Sequence, residues 1–332
     1  MTRRSTHIRT TLIAILATVG LALSGCGTQG TPAGDTPQAT IGLTFIPNIQ
    51  FAPFYVADSA GFYTDGLDVT LRHHGAGEGL FTALAAGEED FVVAGGDEIL
   101  QARDQGIDIV AVASYYAQYP VRIIAPAGSG INTVEDLKGR SIGLPGRFGE
   151  NWFALLLGLD QAGLKQTDVT IVEIGYTLQV ALTTGEVDAV VGFANSDVLN
   201  FGTAGFDVDV IDPEVPLVSI CLATTTTYAE ANPQVVSDVT VAMKTAMASV
   251  IADPEGTLDI SADYIPSFRG ETVDAARIVL EATSALFMDS HGVVSPLLDE
   301  QQWADMARVM SAVGLIGEDS DPTLAYTNEF NR

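Results

Sequence analysis

Apolar positions follow two rhythms that take turns along the first two-thirds of the chain. Short runs that alternate or stay wholly apolar, TIGLTFI (40–46), LDVTLRHH (67–74), DFVVAGG (90–96), DIVAVASYY (108–116) and VRIIAPA (121–127), have the length and β-branched content of strands. RSIGLPG, VTIVEIG, DAVVGFA and VSICLATTT continue the series to about residue 226. Between them GLFTALAAG (79–87), EILQARDQG (98–106), ENWFALLLGLDQAG (150–163) and LQVALTTGE (178–186) carry apolar residues at helical spacing. Thr133 and Asp136 form a near capping box and Gly139 a stop, so TVEDLKG is also expected to be helical. After about residue 227 the rhythm is almost wholly helical, in PQVVSDVTVAMKTAMASVIAD, TLDISADYI, TVDAARIVLEATSALFM and DEQQWADMARVMSAVG. This alternation predicts an α/β architecture.

One stretch of the pattern occurs twice. LFTALAAGEEDFVVAGGDE (80–98) aligns without gaps on LQVALTTGEVDAVVGFANS (178–196), with Leu80/Leu178, Ala83/Ala181, Leu84/Leu182, Gly87/Gly185, Glu88/Glu186, Asp90/Asp188, Val92/Val190 and Val93/Val191 identical. A helix, a glycine stop and a buried strand have been duplicated, which predicts two lobes, each with its own sheet. Ligands of open α/β sheets sit beyond the carboxyl ends of the strands. The matched strands then deliver AGGDE and GFANSD to one cleft from opposite walls, making Gly96, Asp97, Asn195 and Asp197 candidate ligand residues. Asp97 and Asp197 also suit helix N-caps, a role compatible with ligand contact.

The N-terminus changes the picture of where the chain works. Arg3, Arg4 and Arg9 precede the apolar stretch TLIAILATVGLALSG, which has the length of a signal peptide rather than a membrane span. It ends in Leu23-Ser24-Gly25-Cys26, which resembles a bacterial lipobox, so residues 1–25 are expected to be cleaved and Cys26 lipidated. Residues 26–39 then read as a tether, since GTQGTPAGDTPQA is too polar to offset its own ordering entropy, and folding is expected to begin near Thr40. Cleavage removes three arginines and no acids, moving the net charge from −27 to −30 and excluding nucleic acid as a partner. A hydrophobic content of 47% supports a sizeable core. With Cys26 committed to lipid, Cys221 has no intrachain partner and is expected to pack as a small apolar side chain.

Catalytic chemistry is hard to find. His7, His73, His74 and His291 lie in no HExxH or CxxC context, and the chain has no GxSxG, P-loop or complete GxGxxG; GAGEG (75–79) reads as a glycine-rich turn. No catalytic residue, metal or cofactor is expected. The loop LPGRFGENW (144–152) joins a strand to a long helix and directs amides and a helix N-terminus at the strand ends. Arg147 there can meet an anionic ligand group, stack on a ring or balance acids, while Glu150 argues against a phosphate or sulfonate site. SYYAQYP (114–120) adds Tyr115, Tyr116, Gln118 and Tyr119, and strand alternation lets only one of Tyr115 and Tyr116 face the cleft.

IPNIQFAPFYVADSAGFYTDGLDVTL, GEGLFTALAAGEEDFVVAGGDEILQARDQGIDIVAVASYYAQYPVRIIA, TVEDLKGRSIGLPGRFGENW and LTTGEVDAVVGFANSD together resemble a periplasmic-binding-like family. That family comprises ABC-importer solute receptors for thiamine-pyrimidine precursors, riboflavin, alkanesulfonates and nitrate. The resemblance spans roughly residues 40–290 and implies a type II fold with mixed sheets, two crossover hinges and a ligand clamped between lobes. One lobe is then about 40–124 plus 224–332 and the other 125–223.

The pyrimidine branch typically opens with Trp-Phe-Pro-Asn and carries Asn-x-Glu after the second repeated strand. Here the positions read Phe45-Ile46-Pro47-Asn48 and Asn195-Ser196-Asp197, and IPNIQFAPFYVA with GLPGRFGENW is more similar to the riboflavin-binding branch. Carried over residue by residue, that resemblance implies Asn48, Gln50, Phe51, Phe54, Asp97, Tyr116, Arg147, Trp152 and Asn195 as cleft residues. Rings would cover the flavin faces, and amides and Asp97 its polar edge. Within IPNIQFAPFYVADSAGFY (46–63), Pro47–Pro53 is expected to be a loop facing Asn195 and Tyr55–Phe62 a helix. Phe51 and Phe54 are thereby assigned to ligand, and Tyr55, Phe62 and Tyr63 to packing. The expectation is a monomeric, lipid-anchored, extracytoplasmic receptor that delivers a flavin to an ABC permease and its ATPase. The alternatives are a receptor for a thiamine-pyrimidine precursor, a fold-sharing pyrimidine-synthesis enzyme of the kind that consumes its own cofactor and histidine, and an exported sensor. The export signal and the lack of a matching histidine and cysteine-rich motif argue against the enzyme.

Overall fold

The computed structural model describes residues 37–331 except 65, 76–77 and 269–271, so the signal-peptide, lipobox and most of the tether readings, and the middle of the GAGEG turn, lie outside the described residues. Strands β1 (Gln38–Leu43), β2 (Asp68–His73), β3 (Phe91–Gly95) and β4 (Val110–Ser114) belong to one sheet. β5 (Val121–Pro126), β6 (Ser141–Leu144), β7 (Thr170–Glu173), β8 (Ala189–Phe193) and β9 (Val208–Ile211) form a second, and β10 (Ile220–Thr224) returns to the first. The orders are β2-β1-β3-β10-β4 and β7-β6-β8-β5-β9. In each sheet the first three strands are parallel and the fourth, supplied by the other half of the chain, runs antiparallel: β10 against β3, β5 against β8. The chain therefore crosses between the sheets twice, after β4 and before β10.

The duplication extends further than its sequence match. Thr40-Ile41-Gly42-Leu43 in β1 and Ser141-Ile142-Gly143-Leu144 in β6 are equivalent, with Gly42 paired to Val92 and Gly143 to Val190. The Asp90 carboxylate accepts the Thr40 N–H at 2.8 Å, and the Asp188 carboxylate accepts the Ser141 N–H at 2.8 Å and its hydroxyl at 2.7 Å. Each acid thus ties the third strand of its sheet to the neighbouring second one, β3 to β1 and β8 to β6. Gly87 and Gly185 end the repeated helices at φ +71 and +73, a backbone that L side chains resist.

The helices are α1 (Ala52–Ser59), α2 (Thr82–Ala86), α3 (Gly96–Asp104), α4 (Gly149–Gln161), α5 (Leu178–Thr183) and α6 (Asp197–Thr203), followed by α7 (Thr226–Ala231), α8 (Pro233–Ala252), α9 (Pro254–Ser261), α10 (Thr272–Leu286) and α11 (Glu300–Ala312). One face of the first sheet is covered by α1, α8, α9 and α10, around Phe54, Val93, Leu222, Met243 and Leu280. Its other face shares a continuous core with α3, α11, α4 and the second sheet, through Val92, Ile99, Met306, Leu155 and Ile123. α5 and α6 close the outer face of the second sheet over Val190 and Phe201.

Three local expectations change. TVEDLKG is only a 3-10 turn over Glu135–Leu137, because the Asp136 carboxylate is spent on the Asn132 and Thr133 N–H groups and Gly139 turns the chain at φ +78 before a helix can extend. β9 escaped the pattern: its four residues include exposed or half-buried Val208, Asp209 and Val210 at a sheet edge. β1 begins two residues before Thr40, where Gln38 and Ala39 pair with Asp68 and Val69 and Ala39 is buried. Cys221 is fully buried in β10, its thiol donating to the Ser219 carbonyl at 3.4 Å.

The tie between β8 and β6 predicts that Asp188→Ala loses about 1–3 kcal/mol of stability, the range for hydrogen bonds to a charged acceptor. Urea unfolding checks this, and an unchanged midpoint would show the tie to be dispensable.

Candidate functional site

The two sheets present helix starts to each other. β3 turns directly into α3 at Gly95-Gly96, and the loop after β6 turns into α4 at Gly149-Glu150. Each start carries a carboxyl that lies on the glycine of the other. A Cβ at Gly95 would stand 3.0 Å from Glu150 Cγ, and one at Gly149, where φ is +69, would stand 2.8 Å from Glu98 Oε1. Gly96 is equally confined: a Cβ there would collide with Val218, and its N–H donates to the Ser219 carbonyl at 2.9 Å. Side chains packed onto the backbone leave no room for a Cβ at these points.

Between the helix starts sit Asp97, fully buried, Glu150, 7% exposed, and half-buried Glu98. The Tyr119 hydroxyl lies 2.8 Å from Asp97 Oδ2 and 3.1 Å from the Glu150 carbonyl, either of which can take its single proton. Asp97 Oδ1 accepts the Glu98 N–H at 2.8 Å, and Glu98 Oε2 accepts the Gly95 N–H at 3.2 Å. Among the described residues none of the three acids has a salt-bridge partner. The helix N-termini favour negative charge here, but burial opposes it and prevails. Burial pushes the Asp97 carboxyl up to about 7. Burial, with the charge of Asp97 added, pushes Glu98 up to about 8. Glu150 is raised well above the carboxylate range by burial and by both neighbours.

A second crossing lies beside the first. Asn195, at the carboxyl end of β8 and 2% exposed, donates from Nδ2 to Thr283 Oγ1 on α10 at 2.9 Å. Tyr116 lies beside Asn195 and Thr283 and in the field of Glu150. Asn195 Oδ1, Glu150 Oε1 and Ser219 Oγ are buried without a partner among the described residues. Nearer the surface, Phe45 after β1 meets Tyr176 after β7 edge-on at 6.3 Å, the two rings 39% and 72% exposed.

Of the residues expected in the cleft, Gly96, Asp97, Tyr116 and Asn195 are thus brought together. Asp197 sits one turn on, its carboxylate accepting the Phe193 N–H at 2.8 Å; it occupies the first position of α6 rather than the cap, as Asp97 lies inside α3. Asn48 caps a 3-10 turn over Ile49–Phe51 through the Gln50 N–H, and the Gln50 carbonyl accepts the Tyr115 hydroxyl at 2.6 Å. Phe51 packs edge-on against His73, and Phe54, with no exposed surface, against Tyr115 at 5.3 Å. Arg147 stacks over Trp152 at 5.3 Å and reaches Glu173 at 3.3 Å on the second sheet, so its charge is already balanced. Tyr115 and Tyr116 are both buried and stacked at 5.0 Å; β4 ends at Ser114, so strand alternation does not govern them. Sequence reasoning passed over Glu98 and Thr283, named Tyr119 without giving it a role, and used Glu150 only to exclude anions. Glu150's place at a helix start was visible, but the acids facing it were not.

His74, Glu78 and Glu89 bring possible metal-ligating atoms within 4.8 Å of one another on the first sheet. Arg72 already donates to both glutamates at 2.6 Å and His74 lies 2.9 Å from Glu89, so the group is a closed ion-pair knot.

Comparison with known proteins places this geometry. The NMT1/THI5-like family profile matches residues 48–257. The chain is 30% identical over 300 residues to the riboflavin-binding protein RibY of Chloroflexus aurantiacus, covering 88% of this chain and 86% of that one. It is 24% identical over 312 residues to the 4-amino-5-hydroxymethyl-2-methylpyrimidine phosphate synthase of Aspergillus parasiticus, covering 87% and 86%. The periplasmic aliphatic sulphonate binding protein SsuA of Escherichia coli superposes with a TM-score of 0.69 at 20% identity, over 86% of this chain and 96% of that one. The architecture is therefore periplasmic-binding-protein-like, with the mixed sheets expected from the resemblance.

The buried acids make stability fall with rising pH. A carboxyl whose folded pKa is raised contributes stability that is complete below its unfolded value and lost as pH climbs through the folded one. With Asp97 near 7 and Glu98 near 8, the urea midpoint is expected to fall between about pH 5 and about pH 8, and Asp97→Asn to flatten the slope. A flat wild-type profile over that window would show that the acids are not buried together.

Proposed function

The chain belongs to the NMT1/THI5-like family, and from that membership we propose that it is the lipid-anchored extracytoplasmic receptor of an ABC importer, with riboflavin or a related flavin as its ligand. The observation that carries the flavin reading is the 30% identity to a riboflavin-binding protein across 88% of the chain. The geometry supports a receptor. Two halves, about 40–124 plus 224–332 and 125–223, meet through helix starts and side chains that cross between them, and two connecting segments suit hinge closure around a solute. On this reading Gly96, Asp97, Tyr116 and Asn195 meet the polar edge of the ring system. Asn48 and Gln50 hold the loop that carries Phe51, and Phe54 supports that loop from the core. A membrane permease with its cytoplasmic ATPase takes the ligand onward, and Cys26 holds the receptor at the cell surface.

A thiamine-pyrimidine precursor is the second reading, favoured by the buried carboxyls of Asp97 and Glu150, which suit the N–H donors of an aminopyrimidine.

Titrating riboflavin with the full chain, purified in detergent, should quench flavin fluorescence and saturate near one ligand per protein. No quenching at micromolar protein, together with a thermal shift from an aminopyrimidine, would put the pyrimidine first. Asn195→Ala should weaken binding by about 1–3 kcal/mol, because a polar ligand group is left unpaired; an unchanged Kd would remove Asn195 from the site.

A further inference from the structure

Of the three carboxyls between α3 and α4, two are engaged and one is not. Asp97 accepts the Glu98 N–H and lies 2.8 Å from the Tyr119 hydroxyl, and Glu98 accepts the Gly95 N–H. Glu150 Oε1, in a side chain 7% exposed, has no partner among the described residues. An orphaned acceptor at such depth costs most of its desolvation energy, so a native cleft holds one there for a group that arrives with the ligand. Gly95 leaves space that Asp97 and Glu150 share: a Cβ there would stand 2.5 Å from Asp97 Oδ1 and 3.0 and 3.1 Å from Glu150 Cγ and Cδ. Asn195 Oδ1 and Ser219 Oγ are also unpartnered among the described residues, and the Asn195 side chain lies beside Tyr116, which is in the field of Glu150.

We infer that Glu150 reads the ligand's imide edge, a carbonyl beside an N–H, through a two-point hydrogen bond across the cleft. The inference rests on the flavin reading and deepens it. A protonated carboxyl presents one O–H donor and one carbonyl acceptor side by side, the complement of an imide's acceptor and donor. Its surroundings hold Glu150 in that form. Asp97 and Glu98 on α3 face it with no cation between them, and the Tyr119 and Tyr116 phenols complete the enclosure, so ionisation adds charge where it is already repelled. An ionised carboxylate would accept from any N–H. The neutral form also donates, and it selects for the adjoining carbonyl. Asn195 Oδ1 remains for a hydroxyl or N–H elsewhere on the same ligand.

The test titrates riboflavin and riboflavin methylated at the imide nitrogen into the full chain, following flavin fluorescence. Wild type should prefer riboflavin by about tenfold or more, since methylation leaves the buried acceptor unpaired. Glu150→Gln, whose amide offers the same donor and acceptor, should keep that preference, and Glu150→Leu should bind both flavins within about threefold of each other. Riboflavin binding by wild type without discrimination, or a preference that survives in Glu150→Leu, overturns the inference and leaves the flavin reading standing. Folded wild type that binds neither flavin overturns both. Should Glu150→Leu fail to fold, loss of the preference in Glu150→Gln is the overturning result.

Discussion

Two helix starts meet head to head in this protein, each laying a glutamate on the other's glycine, and the rest of the structure is arranged around the cost of that contact. Glu98 crosses to Gly149 and Glu150 to Gly95, with Asp97 buried beside them. Three carboxyls packed together without a cation, two of them buried, cannot all be ionised, so protons balance them. The amides and dipoles of α3 and α4 lower the penalty and do not cancel it. Contact between the halves and proton uptake are therefore coupled, because both set the charge held between the same two helices.

The scaffold that brings the helices together is a duplication used asymmetrically. Gly42 and Gly143 occupy the same place in their sheets. Glu89, held by Arg72 and His74, covers the first, while the apolar Ile174 and Val187 cover the second. The equivalent pairs Arg72/Val172, His74/Ile174 and Glu89/Val187 all differ, so the first half carries an ion-pair knot where the second carries an apolar cover. The acids Asp90 and Asp188 kept their task in both. The antiparallel fourth strand of each sheet comes from the other half, which ties the two sheets together at the crossings while leaving the strand ends free to face each other.

Aromatic residues divide between this frame and the cleft. Phe54 packs tilted on Tyr115 and Tyr55 stacks on Tyr264 behind the loop that follows β1, and the Tyr115 hydroxyl holds that loop by the Gln50 carbonyl. Tyr116, its neighbour in sequence, turns toward Asn195 and Glu150. The more exposed rings, Phe45 and Tyr176, meet edge-on from opposite halves.

Much of this was legible in the chain alone. Strand and helix alternation, the repeat at 80–98 and 178–196, the glycine stops and the delivery of Gly96, Asp97 and Asn195 to strand ends are local facts, set by periodicity and by which residues tolerate a turn. Tertiary structure decided what those residues meet. Asp97 and Glu150 stand more than fifty positions apart, and nothing local signals that their helices converge or that Gly95 and Gly149 are spaces for acids. Periodicity likewise assigns Phe54 a buried face without saying whether protein or ligand covers it. It overextended 133–139 into a helix, because a capping pattern does not reveal that the capping carboxylate is already spent closing a tight turn. Local sequence sets the conformation of each segment, whereas the environment of a buried charge depends on every element packed against it, and here those elements come from both halves of the chain.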